Sequence, residues 1–335
     1  MKVHAYAALE EGGDLEHWTY EIEEVRDFEC VVEVEACGLC RSDLHMIDND
    51  WRQSTYPLVP GHEVIGEVVE LGENVEHLEV GQRVGVGWQR TSCLYCQSCL
   101  KGDENLCDDS KSLIGDGYGG FADYLEADSR FVFPIPDQLE TDIAGPLLCG
   151  GITVFSALKQ AGMTSGGHVG VIGVGGLGHL AVQFASKLGN RVTVFTSTDE
   201  KAEFAQKIGA DEVIVSSGST PGTAPERELD VLLNTAPVSF DWAAYLETLG
   251  TDGTLSIVGA PDEPMEIPAN ALMFKRRRVT GSVIGGRAAM NDMLRTAGEF
   301  DVTPVTETFP MSDVNRAIEK LRRHDIRYRA VLVRD

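Results

Sequence analysis

One segment constrains the fold more than any other. The apolar run His168–Ile172 leads into Gly173-x-Gly175-x-x-Gly178, a helical stretch over Leu177–Leu188 follows, and a second apolar run, Arg191–Phe195, comes next. Strand, glycine turn, helix and strand in that order make a βαβ unit, so the two strands lie parallel and the crossover covers one face of their sheet. The glycines permit a tight turn and a close backbone approach. The helix N-terminus behind them favours negative charge, which suits the pyrophosphate of a dinucleotide held by Gly173, Gly175, Gly176, Leu177 and Gly178. The alternation runs on through Glu200–Ile208, Glu212–Val215, Asp230–Leu233, Asp241–Leu249 and Thr254–Val258. From Gly145 onward this predicts a parallel sheet with helices on both faces, and Ser216–Glu226, with its glycines and prolines, reads as a surface loop.

Before about Asp142 the rhythm differs. Short β-runs, Cys30–Glu35, Val64–Glu70 and Gln82–Val86, are broken by turns at Pro57, Pro60-Gly61, Leu71–Asn74 and Val80-Gly81. This predicts an all-β or α+β part. After Gly281 the sequence offers one amphipathic helix, Val314–Arg322, and a last strand, Arg329–Val333. A chain of 335 residues makes about two domains.

Charge narrows the partners. With 28 basic and 53 acidic residues the net charge is −25, which opposes approach to phosphate backbones and anionic lipid. The excess is one-sided: Met1–Gly145 holds 9 basic against 31 acidic residues and the remainder 19 against 22, so an anionic cofactor favours the second part. The acid excess also suits a high-salt environment, a reading its one-sidedness weakens. Neither a basic-then-apolar leader nor an uninterrupted apolar window of ~18 residues stands out, so the expectation is a cytoplasmic enzyme acting on a small molecule.

Eight cysteines stand at 30, 37, 40, 93, 96, 99, 107 and 149. Their crowding argues for metal or redox chemistry over a disulfide framework. Cys93-x-x-Cys96-x-x-Cys99 with Cys107 has the spacing of zinc and iron–sulfur clips. Four thiolates close a tetrahedral shell around Zn²⁺ and leave no position for substrate, so a zinc ion there is structural, with an iron–sulfur cluster as the competing occupant.

The residues after Arg191–Phe195 discriminate between dinucleotides, because an acid there bonds the ribose 2′-hydroxyl and repels a 2′-phosphate. Here they are Thr196-Ser197-Thr198, with Lys201 close behind. Three hydroxyls and a cation suit a phosphate, favouring NADP(H), while Thr198 or Asp199 also qualifies as the N-cap of the next helix.

A last group is dispersed: Cys37-Gly-Leu-Cys40-Arg41-Ser42-Asp43-Leu-His45, Pro60-Gly-His62-Glu63 and Leu147-Leu-Cys149-Gly-Gly. Singly, each is ordinary. Together with Tyr-Pro-Leu-Val at 56–59, the four-cysteine segment, Gly-Gly-Phe-Ala-Asp-Tyr at 119–124 and Gly-Val-Gly-Gly-Leu-Gly-His-Leu at 173–180, the chain resembles the zinc-dependent medium-chain alcohol dehydrogenases over essentially its whole length. It is most similar to the cinnamyl alcohol dehydrogenase branch with its bacterial aldehyde reductases. The resemblance implies Cys40, His62 and Cys149 as ligands of a catalytic zinc, a ligand set known from alcohol dehydrogenases. It also implies Ser42 and His45 as a proton relay, Asp43 as the carboxylate orienting His62, and Glu63 as a carboxylate near the metal. Arg41 departs from the branch, where His is common, and is assigned to the cofactor pyrophosphate. Cys30 and Cys37 match no ligand position and read as core thiols. Trp51, Trp88, Val283 and Ile284 are expected to line an apolar substrate channel. Gly281–Ile284 resembles an edge strand through which coenzyme domains pair, so a homo-oligomer, dimer or tetramer, is expected.

The expected architecture is α/β plus β. Residues 1–145 and 286–335 form a GroES-like β-barrel catalytic domain carrying two zinc ions, 146–285 form a doubly wound Rossmann domain, and the reaction lies in the cleft between them. Zinc accepts no electrons, so the dinucleotide must carry the hydride between a primary alcohol and an aldehyde, aromatic or medium aliphatic, with aldehyde reduction the expected direction. The competing readings are an NAD-dependent polyol or secondary-alcohol dehydrogenase, and a non-catalytic zinc- and nucleotide-binding redox sensor.

Overall fold

The strand Glu29–Leu39 is buried along most of its length and organises a seven-stranded sheet. Val64–Leu71 pairs antiparallel along one edge of it. On its other edge Tyr124–Asp128 takes the N-terminal half and Arg329–Val333 the C-terminal half. Arg83–Val86 and Val132–Pro134 continue the sheet beyond Val64–Leu71, and Thr306–Pro310 continues it beyond Arg329–Val333. Register then does the positioning. Cys37 lies opposite Val64 and Leu39 opposite Ala330, so Cys40, His62-Glu63 and Arg329 emerge at one end of this sheet. Valine, isoleucine, leucine and alanine fill the core beneath it, with Cys30 and Cys37 fully buried among them. Burial pushes the Cys30 thiol up to about 12.

The computed structural model describes residues 1–261 and 263–335, and the chain divides into two units, Met1–Cys149 with Gly285–Asp335 and Gly150–Ile284. The second unit is a six-stranded sheet of parallel strands ordered Glu212–Val215, Arg191–Thr196, His168–Ile172, Leu229–Asn234, Leu249–Ile257, Arg278–Gly281. Numbered along the chain this is 3-2-1-4-5-6, and the order reverses between His168–Ile172 and Leu229–Asn234. Such a reversal opens a crevice beyond the strand ends where ligands of this fold class bind. The glycine turn follows His168–Ile172 at that point.

Three expectations need correction. The first unit does not end before Pro146. Thr141–Pro146, a π-helical turn over Leu147–Gly151 and Ile152–Gln160 form one continuous helical run, and the division falls inside it, after Cys149. A proline and two glycines look like breakers in sequence, yet the helix carries through them by widening. This run is also apolar enough by length and composition to cross a bilayer, but 83% of its apolar window is buried inside the protein, so it serves as a core helix. Val314–Arg322 is not alone after Gly281, because Arg287–Phe300 is a longer amphipathic helix burying Met290, Met293, Leu294 and Ala297, a 3.6-residue stripe. Finally, the edge strand stops at Gly281. Ile284 adopts a left-handed φ of 38°, which a β-ladder does not accommodate, so Ser282–Ile284 lie outside it.

Candidate active site

Asp43 builds the site. It is fully buried in the first turn of the short helix Arg41–Ile47, which begins where Glu29–Leu39 ends. Its Oδ2 accepts from the backbone N–H of Cys40 at 2.8 Å, closing a capping box. Its Oδ1 accepts from the N–H of Gly61 and from Nδ1 of His62, both at 2.9 Å. One carboxylate thereby ties the Cys40 turn to the His62 turn. With Nδ1 donating to Asp43, the lone pair of His62 sits on Nε2. That atom is buried and has no hydrogen-bond partner, a condition that calls for an unseen ligand.

Cys149, in the π-helical turn, brings its Sγ to 3.9 Å from Cys40 Sγ. Two sulfurs at about 2.3 Å from a tetrahedral zinc stand roughly 3.8 Å apart, so the pair has the right span. Ligand atoms of Cys40, His62, Glu63 and Cys149 all lie within 4.8 Å of one another, every one of the four residues buried. The Cys40–Cys149 contact, with Arg329 and His62 adding positive field, holds the Cys40 thiol well below its usual range, and the same contact pushes Cys149 up. Burial works against a charged His62, but Asp43 and Cys40 outweigh it and raise its pKa.

Glu63 is anchored by Arg329, whose guanidinium donates to Oε1, while Oε2 is buried without a partner. Burial pushes the Glu63 carboxyl up, and the Arg329 guanidinium beside it pulls it back down. Space is tight around it: a Cβ on Gly38 would stand 1.9 Å from Glu63 Oε2, so Cys37-Gly38-Leu39-Cys40 needs its glycine for this packing. Arg329 escaped the sequence reading. Its signal was a cation opening the otherwise apolar strand Arg329–Val333, which a buried position tolerates only with a partner.

The relay candidates lie on the same short helix. Ser42 Oγ is 3.9 Å from Cys40 Sγ, and His45 Nδ1 pairs with Asp50 at 2.6 Å. Asp50 is a second residue missed in sequence. It is delivered by the helix end, where its N–H donates to the carbonyl of His45. An aromatic row runs from His62 to Trp88 (5.0 Å), Trp51 (5.9 Å) and His45 (5.1 Å), so Trp51 and Trp88 flank the candidate ligands. Val283 and Ile284 belong to the other unit, Val283 being exposed. Arg41 is exposed and its Nη2 lies 3.1 Å from the ring nitrogens of His324. A cavity of 920 Å³ in the first unit is lined by Tyr20, Arg90, Tyr118 and several acids and contains none of these residues.

The four-cysteine segment closes on itself. Cys93 and Cys99 sulfurs are 3.8 Å apart, Cys96 and Cys99 3.5 Å, Cys107 and Cys93 3.5 Å. This is again about the sulfur spacing of a tetrahedral zinc, and all eight cysteines are free thiols.

In the second unit Gly173 takes a left-handed φ of +88°, and a Cβ on Gly178 would stand 1.9 Å from the carbonyl of Gly173, whereas a Cβ on Gly175 would meet nothing. The first glycine makes the turn, the third lets helix Gly178–Lys187 pack close, and the middle one leaves room beside Gly176 and Leu177 for a ligand. At the end of Arg191–Thr196, the Thr196 hydroxyl is buried without a partner and Ser197 and Lys201 are exposed. Thr198 accepts from the N–H of Lys201 as the N-cap of Asp199–Lys207.

Comparison with known proteins agrees with this arrangement. Residues 26–137 match the family model for an alcohol dehydrogenase GroES-like domain and residues 176–299 that for a zinc-binding dehydrogenase. The chain is 41% identical to aldehyde reductase AdhA of Synechocystis sp., covering 98% of each. It is 40% identical to a probable mannitol dehydrogenase of Fragaria ananassa, over 99% of this chain and 95% of that one. Among solved structures, a cinnamyl alcohol dehydrogenase of Sorghum bicolor superposes with a TM-score of 0.91 at 38% identity, covering 99% of this chain and 98% of that one. The corresponding enzyme of Helicobacter pylori complexed with NADP(H) gives 0.90 at 27%, with the same coverage. GroES-like and Rossmann-type units, the dispersed cysteines and histidine, and these relatives together place the chain: it is an oxidoreductase belonging to the zinc-type medium-chain alcohol dehydrogenases, a family that interconverts alcohols and aldehydes.

Proposed function

We propose that the chain reduces aromatic or medium aliphatic aldehydes to primary alcohols with NADP(H), and that it holds two zinc ions. One would be held by Cys40, His62 and Cys149, the other by Cys93, Cys96, Cys99 and Cys107. The observation that carries the reading is the convergence of two thiols and an unpaired imidazole nitrogen, from three distant segments, in one buried site. A zinc ion bound there supplies Lewis acidity to a substrate oxygen. Asp43 keeps the His62 tautomer and ring orientation fixed. Ser42 passes a proton, and His45, partly exposed and steadied by Asp50, exchanges it with water. Trp51 and Trp88 offer apolar walls to the substrate. The Gly173–Gly178 turn takes the diphosphate. A homo-oligomer paired through the edge strand Arg278–Gly281 and a cytoplasmic setting, which suits eight free thiols, belong to the same reading.

The structure with NADP(H) among the relatives and the hydroxyl-lined end of Arg191–Thr196 support NADP(H). The polyol reading draws on the mannitol dehydrogenase relative and keeps the same metal site. Purified chain assayed with NADPH and NADH against cinnamaldehyde, benzaldehyde, hexanal and mannitol separates them. Faster turnover of an aldehyde with NADPH is expected; mannitol oxidation with NAD⁺ as the main activity would favour the alternative. Binding of both dinucleotides without any turnover would favour the sensor.

Thr196→Asp should shift the NADPH:NADH preference toward NADH by about tenfold or more, because a carboxylate at that strand end repels a 2′-phosphate. Measured kcat/KM for both cofactors checks this, and an unchanged ratio would mean that another residue reads the 2′-position.

A further inference from the structure

We infer that His179 and Thr235 are positioning residues for the coenzyme: from beneath the glycine turn they hold two of its carbonyls, and so aim its N–H groups at the diphosphate. The inference rests on the dinucleotide reading of the second unit. His179 is fully buried in the first turn of helix Gly178–Lys187, a place where an imidazole is expensive unless its polar atoms are used. Its Nδ1–H donates to the carbonyl of Gly175 at 2.8 Å, and its own backbone N–H reaches the same oxygen at 3.2 Å. Thr235 follows the neighbouring strand Leu229–Asn234 across the point where the strand order reverses. Its hydroxyl lies 2.9 Å from the carbonyl of Ile172 and 3.2 Å from that of Gly173.

The consequence follows from peptide geometry. In a trans peptide the C=O of one residue and the N–H of the next point in opposite directions. Holding the Gly175 carbonyl toward His179 turns the Gly176 N–H away from it, and holding the Gly173 carbonyl toward Thr235 does the same for Val174. The N–H groups of Val174, Gly175, Gly176 and Leu177 donate to no backbone carbonyl among the described residues, so they remain available to an anion at the start of the helix. Glycine makes the turn possible, but it also makes it floppy. Gly175 and Gly176 have wide conformational freedom, and without a fixed carbonyl the peptide between them can flip and present oxygen to phosphate. His179 removes that alternative before the coenzyme arrives, and Thr235 steadies the Gly173–Val174 peptide ahead of it.

The test compares His179→Leu, His179→Asn and Thr235→Val with the parent chain, reading dissociation constants for NADPH and NADH by fluorescence titration, together with metal content, unfolding midpoint and kcat at saturating coenzyme. Adenosine, which carries no diphosphate, serves as the competing control. His179→Leu should weaken NADPH and NADH alike by about tenfold, leave adenosine competition and metal content unchanged, and raise the coenzyme KM with little change in kcat. His179→Asn, whose amide can donate to the same carbonyl, should recover most of the loss, and Thr235→Val should act in the same direction. Unchanged dinucleotide affinity in His179→Leu would overturn the inference, as would an equal loss for adenosine, which would mean a collapsed unit. A parent chain that bound neither dinucleotide would overturn the coenzyme reading itself.

Discussion

Cys149→Ser is expected to release about one zinc ion per chain and to lower turnover by about a thousandfold or more, while the protein stays folded. Serine has nearly the shape of cysteine, but its hydroxyl stays protonated near neutral pH and is a poor ligand for a metal that thiolates hold well. Losing a Lewis acid worth several kcal/mol of transition-state stabilisation converts, at a factor of ten per 1.36 kcal/mol, into that loss of rate. The fold is expected to survive because Cys149 sits in a helical run anchored by other buried residues on both sides, among them Leu147, Leu148 and Ile152. Metal analysis beside steady-state assays checks it; retained zinc and retained activity would remove Cys149 from the ligand set.

The second large effect belongs to the ion pair behind the proposed metal site. Arg329 is 7% exposed and Glu63 fully buried, so Arg329→Leu leaves a carboxyl in the interior without its counter-charge. Breaking such a pair from one side costs about 3–5 kcal/mol. An exposed pair such as Arg323–Glu319 contributes about 0–1 kcal/mol. Arg329→Leu should therefore lower the unfolding midpoint far more than Arg323→Leu, and Glu63→Gln in the same chain should return part of the loss, since it removes the orphaned charge. Thermal unfolding of the three variants with metal present measures this. Equal midpoints for Arg329→Leu and Arg323→Leu would show that the buried pair does not stabilise the site.

The parts of this protein that the sequence revealed are those set by local pattern. His168–Ile172, Glu212–Val215, Val314–Arg322 and Arg329–Val333 lie at the bounds that apolar periodicity assigns them. What stayed hidden depended on partners far along the chain. Arg329 reads as an ordinary strand residue until Glu63 is seen beside it, and Asp50 as a solvated acid until the end of its helix delivers it to His45. The helix through Pro146 and Gly150-Gly151 was masked by residues that usually end helices. The stripe of Met290, Met293, Leu294 and Ala297 stands in the sequence at helical spacing and is legible there. The proposed metal ligands are a different case: nothing in the spacing of Cys40, His62 and Cys149 joins them, and only the resemblance does so in the sequence, whereas in the structure the Asp43 hydrogen bonds tie Cys40 to His62 and the helical turn brings Cys149 to Cys40.

X-ray absorption at the zinc edge, with metal counting on the purified chain, addresses the shared ion most directly. Two zinc ions per chain are expected, with six sulfur ligands and one imidazole between them, supplied by Cys40, Cys149, His62 and the four clustered cysteines. One zinc ion per chain bound by four sulfurs, with no imidazole scattering, would contradict it.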